Sequence, residues 1–261
     1  MLKTRSTATL LPMAKILAMG VVIGLTLAVK GWFSGADAIG LDWLLHPVAT
    51  VVSLVSGISF FSLDTAGYYN AARNILIAPT CSGLNFFLIL VATGGCLAIC
   101  YLPSPARWLA WAPGIVISAY GIGLVVNAIR ILLAIFLYQQ AFAIGPFTPT
   151  RLHRIEGIVI YTVFLWGFAA ILSGCLQKAR HRTQEKKPAA FFSGYRVPAL
   201  FSLGCYFLFT LVIPLASGAA RKSPELFMEH CLTVFFIGGA VILGGFVIFR
   251  KKSAGKHPPL P

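Results

Sequence analysis

The chain has 261 residues, of which 58% are hydrophobic and only 11% charged, and its formal net charge is +14. An ordinary soluble domain carries about 45–50% apolar and about 25% charged residues, so lipid rather than water is the principal solvent here. The length suffices for one helical bundle, and no separate soluble domain is expected.

Crossing roughly 30 Å of hydrocarbon at 1.5 Å per residue takes about 20 apolar residues. Six runs are predicted to span: 13–33, 84–102, 109–138, 157–177, 197–216 and 230–249. The first follows Lys3 and Arg5 in the manner of a signal peptide. Its length, Lys15 near its start and the lack of a small-x-small cleavage site predict a retained anchor instead. Residues 43–63 are apolar enough to tempt a seventh span, but His46, Pro47, Ser53, Ser56, Gly57, Ser59 and Ser62 interrupt them. Counting that segment would also reverse every later loop. It is read as an interfacial or re-entrant helix on the outer face, beginning near Pro47 and ending near Gly57.

The next stretch, 62–80, holds Asp64, Tyr68, Tyr69, Asn70, Arg73 and Asn74 and is too polar for lipid. Residues 75–79 are predicted to be extended and to lead to Cys81, with a helix starting between Cys81 and Gly83. The run at 109–138 exceeds what a bilayer needs, which predicts a tilt, a break near Pro113 or Gly121 to Gly123, or a protrusion. Residues 145–150 are turn-rich and lead into Arg151, His153, Arg154 and Glu156 at the mouth of the fourth span.

The basic residues follow the membrane. With the N-terminus inside, six spans put 14 Lys and Arg on the cytoplasmic side, 6 outside, and Arg130 within a span. This is the positive-inside bias. It accounts for the basic run at 178–187 as a loop facing water and lipid headgroups, so membrane lipids are expected partners and nucleic acid is not. The chain thus reads as an all-α polytopic membrane protein of about six transmembrane helices plus the outer-face helix. It divides into a membrane domain at 1–177, a basic cytoplasmic loop at 178–196, and a two-helix extension with a basic tail at 197–261.

Six cysteines form no disulfide framework or CxxC pair, and the five histidines are scattered without an HExxH. No metal and no cofactor are expected. Under the predicted topology Cys81, Arg130 and His153 share one depth at the outer interface. Arg130 lies eight residues before Tyr138, about 12 Å of helix, so its side chain can snorkel outward. A thiol becomes nucleophilic where a helix N-terminus or an imidazolium stabilises its anion. His153 suits proton shuttling near neutral pH, and Arg130 suits an oxyanion or a carboxylate.

Each residue also has a plainer reading. A cysteine at a helix start is commonly inert, and a histidine among arginines is commonly interfacial. An arginine in a span costs about 2.5–3.5 kcal/mol and is functional by default. Its structural alternative is to lock the bundle through Asn127, a carbonyl or Glu156. Arg151 and Arg154 suit a substrate carboxylate or a lipid phosphate, or else form a basic interfacial cluster. Glu156 is placed to orient His153 or to make a surface i,i+3 pair. Tyr68, Tyr69 and Asn70 are further candidates for lining the site.

The string Ile77-Ala78-Pro79-Thr80-Cys81-Ser82-Gly83-Leu84-Asn85-Phe86-Phe87, then Asn127-Ala128-Ile129-Arg130-Ile131, then His153 shortly before Gly157 resembles the exosortase and archaeosortase family of membrane transpeptidases. The Leu45-x-Pro47-Val48-Ala49 helix is similar to that family's lead-in, and the resemblance covers roughly residues 40–175. It implies that Cys81 attacks a peptide bond near a C-terminal sorting signal of the PEP-CTERM kind on an exported protein. A thioester forms, the hydrophobic tail leaves, and an unidentified acceptor nucleophile resolves the acyl-enzyme. Cys81, Arg130 and His153 match the family's catalytic positions, and Asn85 stands where many members carry a basic residue. Asn127, Arg151, Arg154, Glu156 and Asn85 are then candidates for holding substrate. The implied location is a bacterial inner membrane, with the site facing the periplasm and both termini in the cytoplasm. Two other classes fit the composition: a small transporter or channel lined by Arg130 and Asn127, and a transferase at the lipid-headgroup level using His153 and the arginines.

Overall fold

Residues 84–101 are apolar on every side, a pattern that suits a helix buried all round rather than one with a wet face. The computed structural model describes residues 5–139, 149–182, 196–216 and 218–254. In it α3 (Leu84–Tyr101) forms the axis of the bundle, with Phe86, Leu90, Ala92, Cys96 and Leu97 fully buried. Packed around it are α1 (Arg5–Trp32), α4 (Pro105–Gln139), α5 (Pro149–His181) and α6 (Arg196–Phe207). Gly94 and Gly95 permit the close approach. A Cβ on the first would lie 2.6 Å from Ile115 of α4, and one on the second 2.8 Å from Val22 of α1.

Four helical segments are long and apolar enough to cross a membrane: Met13–Trp32, Pro79–Tyr101, Pro105–Tyr138 and Arg151–His181. They correspond to the first four predicted runs. The fifth run is shorter and interrupted, since α6 passes through a π-helical turn (Leu208–Val212) into α7 (Ile213–Ala216). Pro214 explains the break, because it offers no N–H to the carbonyls one turn below. Those carbonyls are met from other helices. Lys30 Nζ donates to Phe209 O at 3.3 Å, and His230 Nε2 donates to Thr210 O at 3.3 Å. The sixth run falls within α9 (Pro224–Ala254), which follows the short α8 (Ala219–Lys222) and packs on α5 and α6.

The segment after α1 forms α2 (Asp42–Ser56), which begins five residues earlier than predicted and closes on Gly57 in the left-handed conformation. Pro47 therefore sits inside the helix. Its missing N–H would have served the carbonyl of Trp43, and Tyr120 Oη of α4 donates to that carbonyl at 2.7 Å instead. Trp43 also stacks on the Tyr120 ring and meets Phe87 edge-on. The core face of α2 is Leu45, Val48 and Val52, all fully buried.

A three-stranded antiparallel sheet, absent from the all-α expectation, follows: β1 (Phe61–Leu63), β2 (Gly67–Asn70) and β3 (Ile75–Ile77), in that order. The predicted extended segment is β3, paired through Tyr68 with Ile77. Tyr68 fastens the sheet to α2. Its hydroxyl donates to Asp42 Oδ1 at 2.6 Å and so accepts from His46 Nδ1, 2.9 Å away. Burial and the Asp42 carboxylate push its pKa up to about 12, so the donor proton stays in place.

Two other expectations change. The helix α4 runs unbroken through Pro113 and Gly121 to Gly123, so its excess length is not relieved by a break. And α5 starts at Pro149, a favoured first helical position, which puts Arg151, His153, Arg154 and Glu156 on its first turns rather than in a loop ahead of it. Residues 140–148, which include most of the predicted outer turn, lie outside the described residues, as do 183–195 of the basic loop. At the far end of α3 the last carbonyls are capped by cations: Lys15 Nζ donates to Cys100 O at 3.0 Å and Arg180 Nη1 to Tyr101 O at 3.4 Å.

Tyr120→Phe is expected to leave the bundle assembled but to strip the Trp43 carbonyl of its donor, at a cost of about 1–3 kcal/mol. Hydrogen exchange should then accelerate at the start of α2 and not along α3.

Candidate active site

Pro79, Thr80 and Cys81 form a single 3-10 turn just ahead of α3, with Cys81 N donating to Ala78 O at 2.8 Å and Ser82 N to Pro79 O at 3.1 Å. Proline presets φ for the first position, and Gly83, at φ +78°, swings the chain into α3. The half-buried Cys81 thus stands beside the helix N-terminus rather than on the helix.

What holds the turn is α4. Asn127, fully buried, donates from Nδ2 to the Cys81 carbonyl at 2.7 Å. The contact is so close that a Cβ on Gly83 would lie 2.9 Å from Asn127 Cγ. With the amide nitrogen committed, Asn127 Oδ1 accepts from Tyr161 Oη at 3.0 Å, and Tyr161 Oη accepts from Arg130 Nη1 at 2.9 Å. Phe86 stacks on the Tyr161 ring with centroids 4.4 Å apart and planes 8° from parallel. The guanidinium of Arg130 lies 5.4 Å from the same ring. One directed chain of hydrogen bonds therefore runs from Arg130 through Tyr161 and Asn127 to the backbone of Cys81.

His153 comes from α5. It shares a cavity with Cys81, near enough that the thiol, the imidazole and the charge of Arg130 act on one another. Glu156 is buried one turn further along, with Oε2 at 3.7 Å from His153 Nδ1. That is an ion-pair separation, longer than a hydrogen bond.

Cys81 and His153 line a cavity of about 710 Å³ whose walls are Ile75, Leu76 and Ile77 of β3 and Ile131, Ala134 and Ile135 of α4, with Arg73, Asn74 and Tyr138 completing it. Arg130 lines a second cavity of about 300 Å³, with Lys30, Thr80, Ser82, Asn85 and Tyr161 among its walls.

The structure brings Cys81, Arg130 and His153 together and adds Asn127 and Glu156 around them. Asn85 is exposed on the second cavity. Arg151 and Arg154 turn away to Glu229 of α9, at 3.2 Å and 3.7 Å. Tyr68, Tyr69 and Asn70 line neither cavity, being engaged with Asp42, Asn74 and Ser59. Sequence reasoning missed Tyr161, although the spacing held a signal. His153, Gly157 and Tyr161 recur every four residues on one face of α5, and a Cβ on Gly157 would touch Arg130 Cδ at 3.4 Å. Glu229 carried no comparable signal. Among the described residues no cluster of three or more His, Cys, Asp or Glu is arranged to hold a metal.

A thiol, an imidazole and a guanidinium near one another are groups of the kinds that can serve as nucleophile, proton carrier and oxyanion donor. The chain matches no family model, no curated protein and no solved structure.

Gly83→Ala combines a left-handed φ with a collision against Asn127, a strain of about 1–3 kcal/mol. Alkylation of Cys81 by iodoacetamide is expected to change about tenfold or more in rate. Gly121→Ala, where a Cβ meets nothing, should leave it as it was.

Proposed function

We propose that the protein is a membrane-embedded cysteine transpeptidase of the exosortase type, acting on exported proteins that carry a C-terminal sorting signal. The observation that carries this reading is that Cys81 and His153 line one apolar-walled cavity beside Arg130. The sequence motifs around those three residues point the same way.

In the proposed reaction His153 takes the thiol proton and Cys81 Sγ attacks the scissile carbonyl. Arg130, held by Tyr161, offers its guanidinium to the oxyanion. As the C–N bond breaks, His153 returns the proton to the leaving amine and a thioester remains on Cys81. An acceptor nucleophile then attacks that thioester. The C–S bond breaks, and the acceptor's proton passes through His153 to the sulfur. Asn127 fixes the nucleophile by holding its backbone, not by touching substrate.

The membrane arrangement belongs to the same proposal: six spans, counting 197–216 and 230–249, in a bacterial inner membrane with both termini cytoplasmic. Its support is the charge pattern. Lys15 and Arg180 gather at the carbonyl end of α3, while Cys81 stands at the opposite end. A cytoplasmic basic end puts the thiol on the periplasmic side. There a hydrophobic signal helix leaves lipid, and the aliphatic walls of the larger cavity suit such a segment.

The test is processing of a co-expressed exported protein bearing a candidate sorting signal, at equal abundance of enzyme in the membrane. Cys81→Ala is expected to abolish cleavage, and His153→Ala and Arg130→Ala to slow it by about 10²-fold or more. Normal cleavage by Cys81→Ala would remove the thiol from the mechanism and end this reading.

A further inference from the structure

Every residue from Arg73 to Ile77 lines the larger cavity. Successive side chains of a strand point to opposite faces, so a cavity that meets each residue in turn runs along the edge of β3 and not over one of its faces. That edge is open. β3 is the last strand of the sheet and pairs with β2 alone. Among the described residues no group outside β2 hydrogen-bonds the main chain of Ile75, Leu76 or Ile77. The α4 side chains that share the cavity, Ile131, Ala134 and Ile135, are aliphatic and cannot serve the outward N–H and C=O groups of the strand. An open strand edge is a ready partner for another extended chain. Cys81 and His153 line the same cavity, and β3 leads through Ala78 into the Cys81 turn. Charge points to the same kind of occupant. Among the described residues the exposed Arg73 has no carboxylate partner, and no acidic side chain lines the cavity. A segment bearing a carboxylate is favoured at that end, and one bearing lysine or arginine is opposed.

Resting on the transpeptidase reading, we infer that the residues of the donor protein just ahead of the scissile bond bind as an extended strand on the free edge of β3. The direction follows from the membrane. The exported part of the donor lies outside and its hydrophobic tail within, so the chain enters past Arg73 and brings its scissile carbonyl to Cys81. It therefore runs parallel to β3, as a fourth strand of the sheet. Main-chain hydrogen bonds would fix the register of the scissile bond against the thiol, and side chains at alternate positions would meet the aliphatic walls.

The test is a backbone scan of the ligand, made without turnover on full-length Cys81→Ala protein in a maltoside detergent. The probes are fluorescent peptides copied from the candidate sorting signal of the processing assay. Each carries one backbone N-methyl group, moved residue by residue through the segment ahead of the cleavage point. A strand gives alternation. Methyl groups at positions that face β3 are expected to weaken binding about tenfold, and those between them by less than about twofold. Hydrogen exchange at the β3 amides that point away from β2 should be fast in the free protein and slow once the unmethylated peptide is bound. Under mild oxidation Arg73→Cys should form a disulfide with a peptide cysteine at the upstream end and not with one beyond the cleavage point. The reverse preference overturns the parallel course. The inference as a whole is overturned by losses spread evenly through the segment, by edge amides already protected in the free protein, or by no binding of any candidate signal. A processed signal with an even scan removes the strand while the transpeptidase reading stands. An alternating scan on a signal that Cys81→Ala still cleaves in cells keeps the strand and ends the transpeptidase reading.

Discussion

A backbone carbonyl without a donor costs several kcal/mol in hydrocarbon, where no water replaces the lost partner, and helices crossing lipid must satisfy every such group from within the protein. This chain breaks its own helical ladders at chosen points and repairs each break with a side chain from another helix. Pro47 frees the Trp43 carbonyl, and Tyr120 takes it. Pro214 frees carbonyls in the π turn, and Lys30 and His230 take them. The end of α3 leaves carbonyls that Lys15 and Arg180 cap. At the turn before α3, Asn127 holds the carbonyl of Cys81. Each repair fixes one helix relative to another in a way that apolar packing, which slides easily, does not.

The site inherits this logic. The Cys81 turn belongs to no regular element, so its position is set by what grips its backbone, and that grip comes from an amide committed at both ends. Tyr161, by donating to the Asn127 oxygen, keeps the amide nitrogen turned toward Cys81, and Tyr161 is oriented by Arg130 and by stacking on Phe86. The arginine is thereby anchored without a carboxylate. Its charge is left available to the thiol and the second cavity, where an ion pair with Glu156 would have neutralised it.

The architecture was legible where it rests on composition. Runs of apolar residues marked the four long helices, and the isolated Arg130 in one of them marked the site. The strands were not, because three- and four-residue elements carry too little alternation to register, and only the Ile75 to Ile77 segment before Pro79 was recognised as extended. The start of α2 was misplaced because Pro47 reads as a helix beginning, and nothing local reveals that Tyr120, far along the chain, makes an internal proline tolerable. Asn127 was noted for its chemistry, but its role depends on a residue 46 positions away whose carbonyl it meets. Such long-range pairings have no periodicity to betray them.

The last helices reach the same end of α5 from outside the motifs. Glu229 of α9 sits between Arg151 and Arg154, on either side of His153 along α5. These side chains are 34–44% exposed, so the pairs contribute little to stability, about 0.2–1 kcal/mol each. Their effect is electrostatic and directional. A carboxylate held between two neighbouring arginines offsets their mutual repulsion. Glu156 is then the carboxylate beside His153 within the helix, 3.7 Å from Nδ1, and Cys81 shares the cavity that His153 lines.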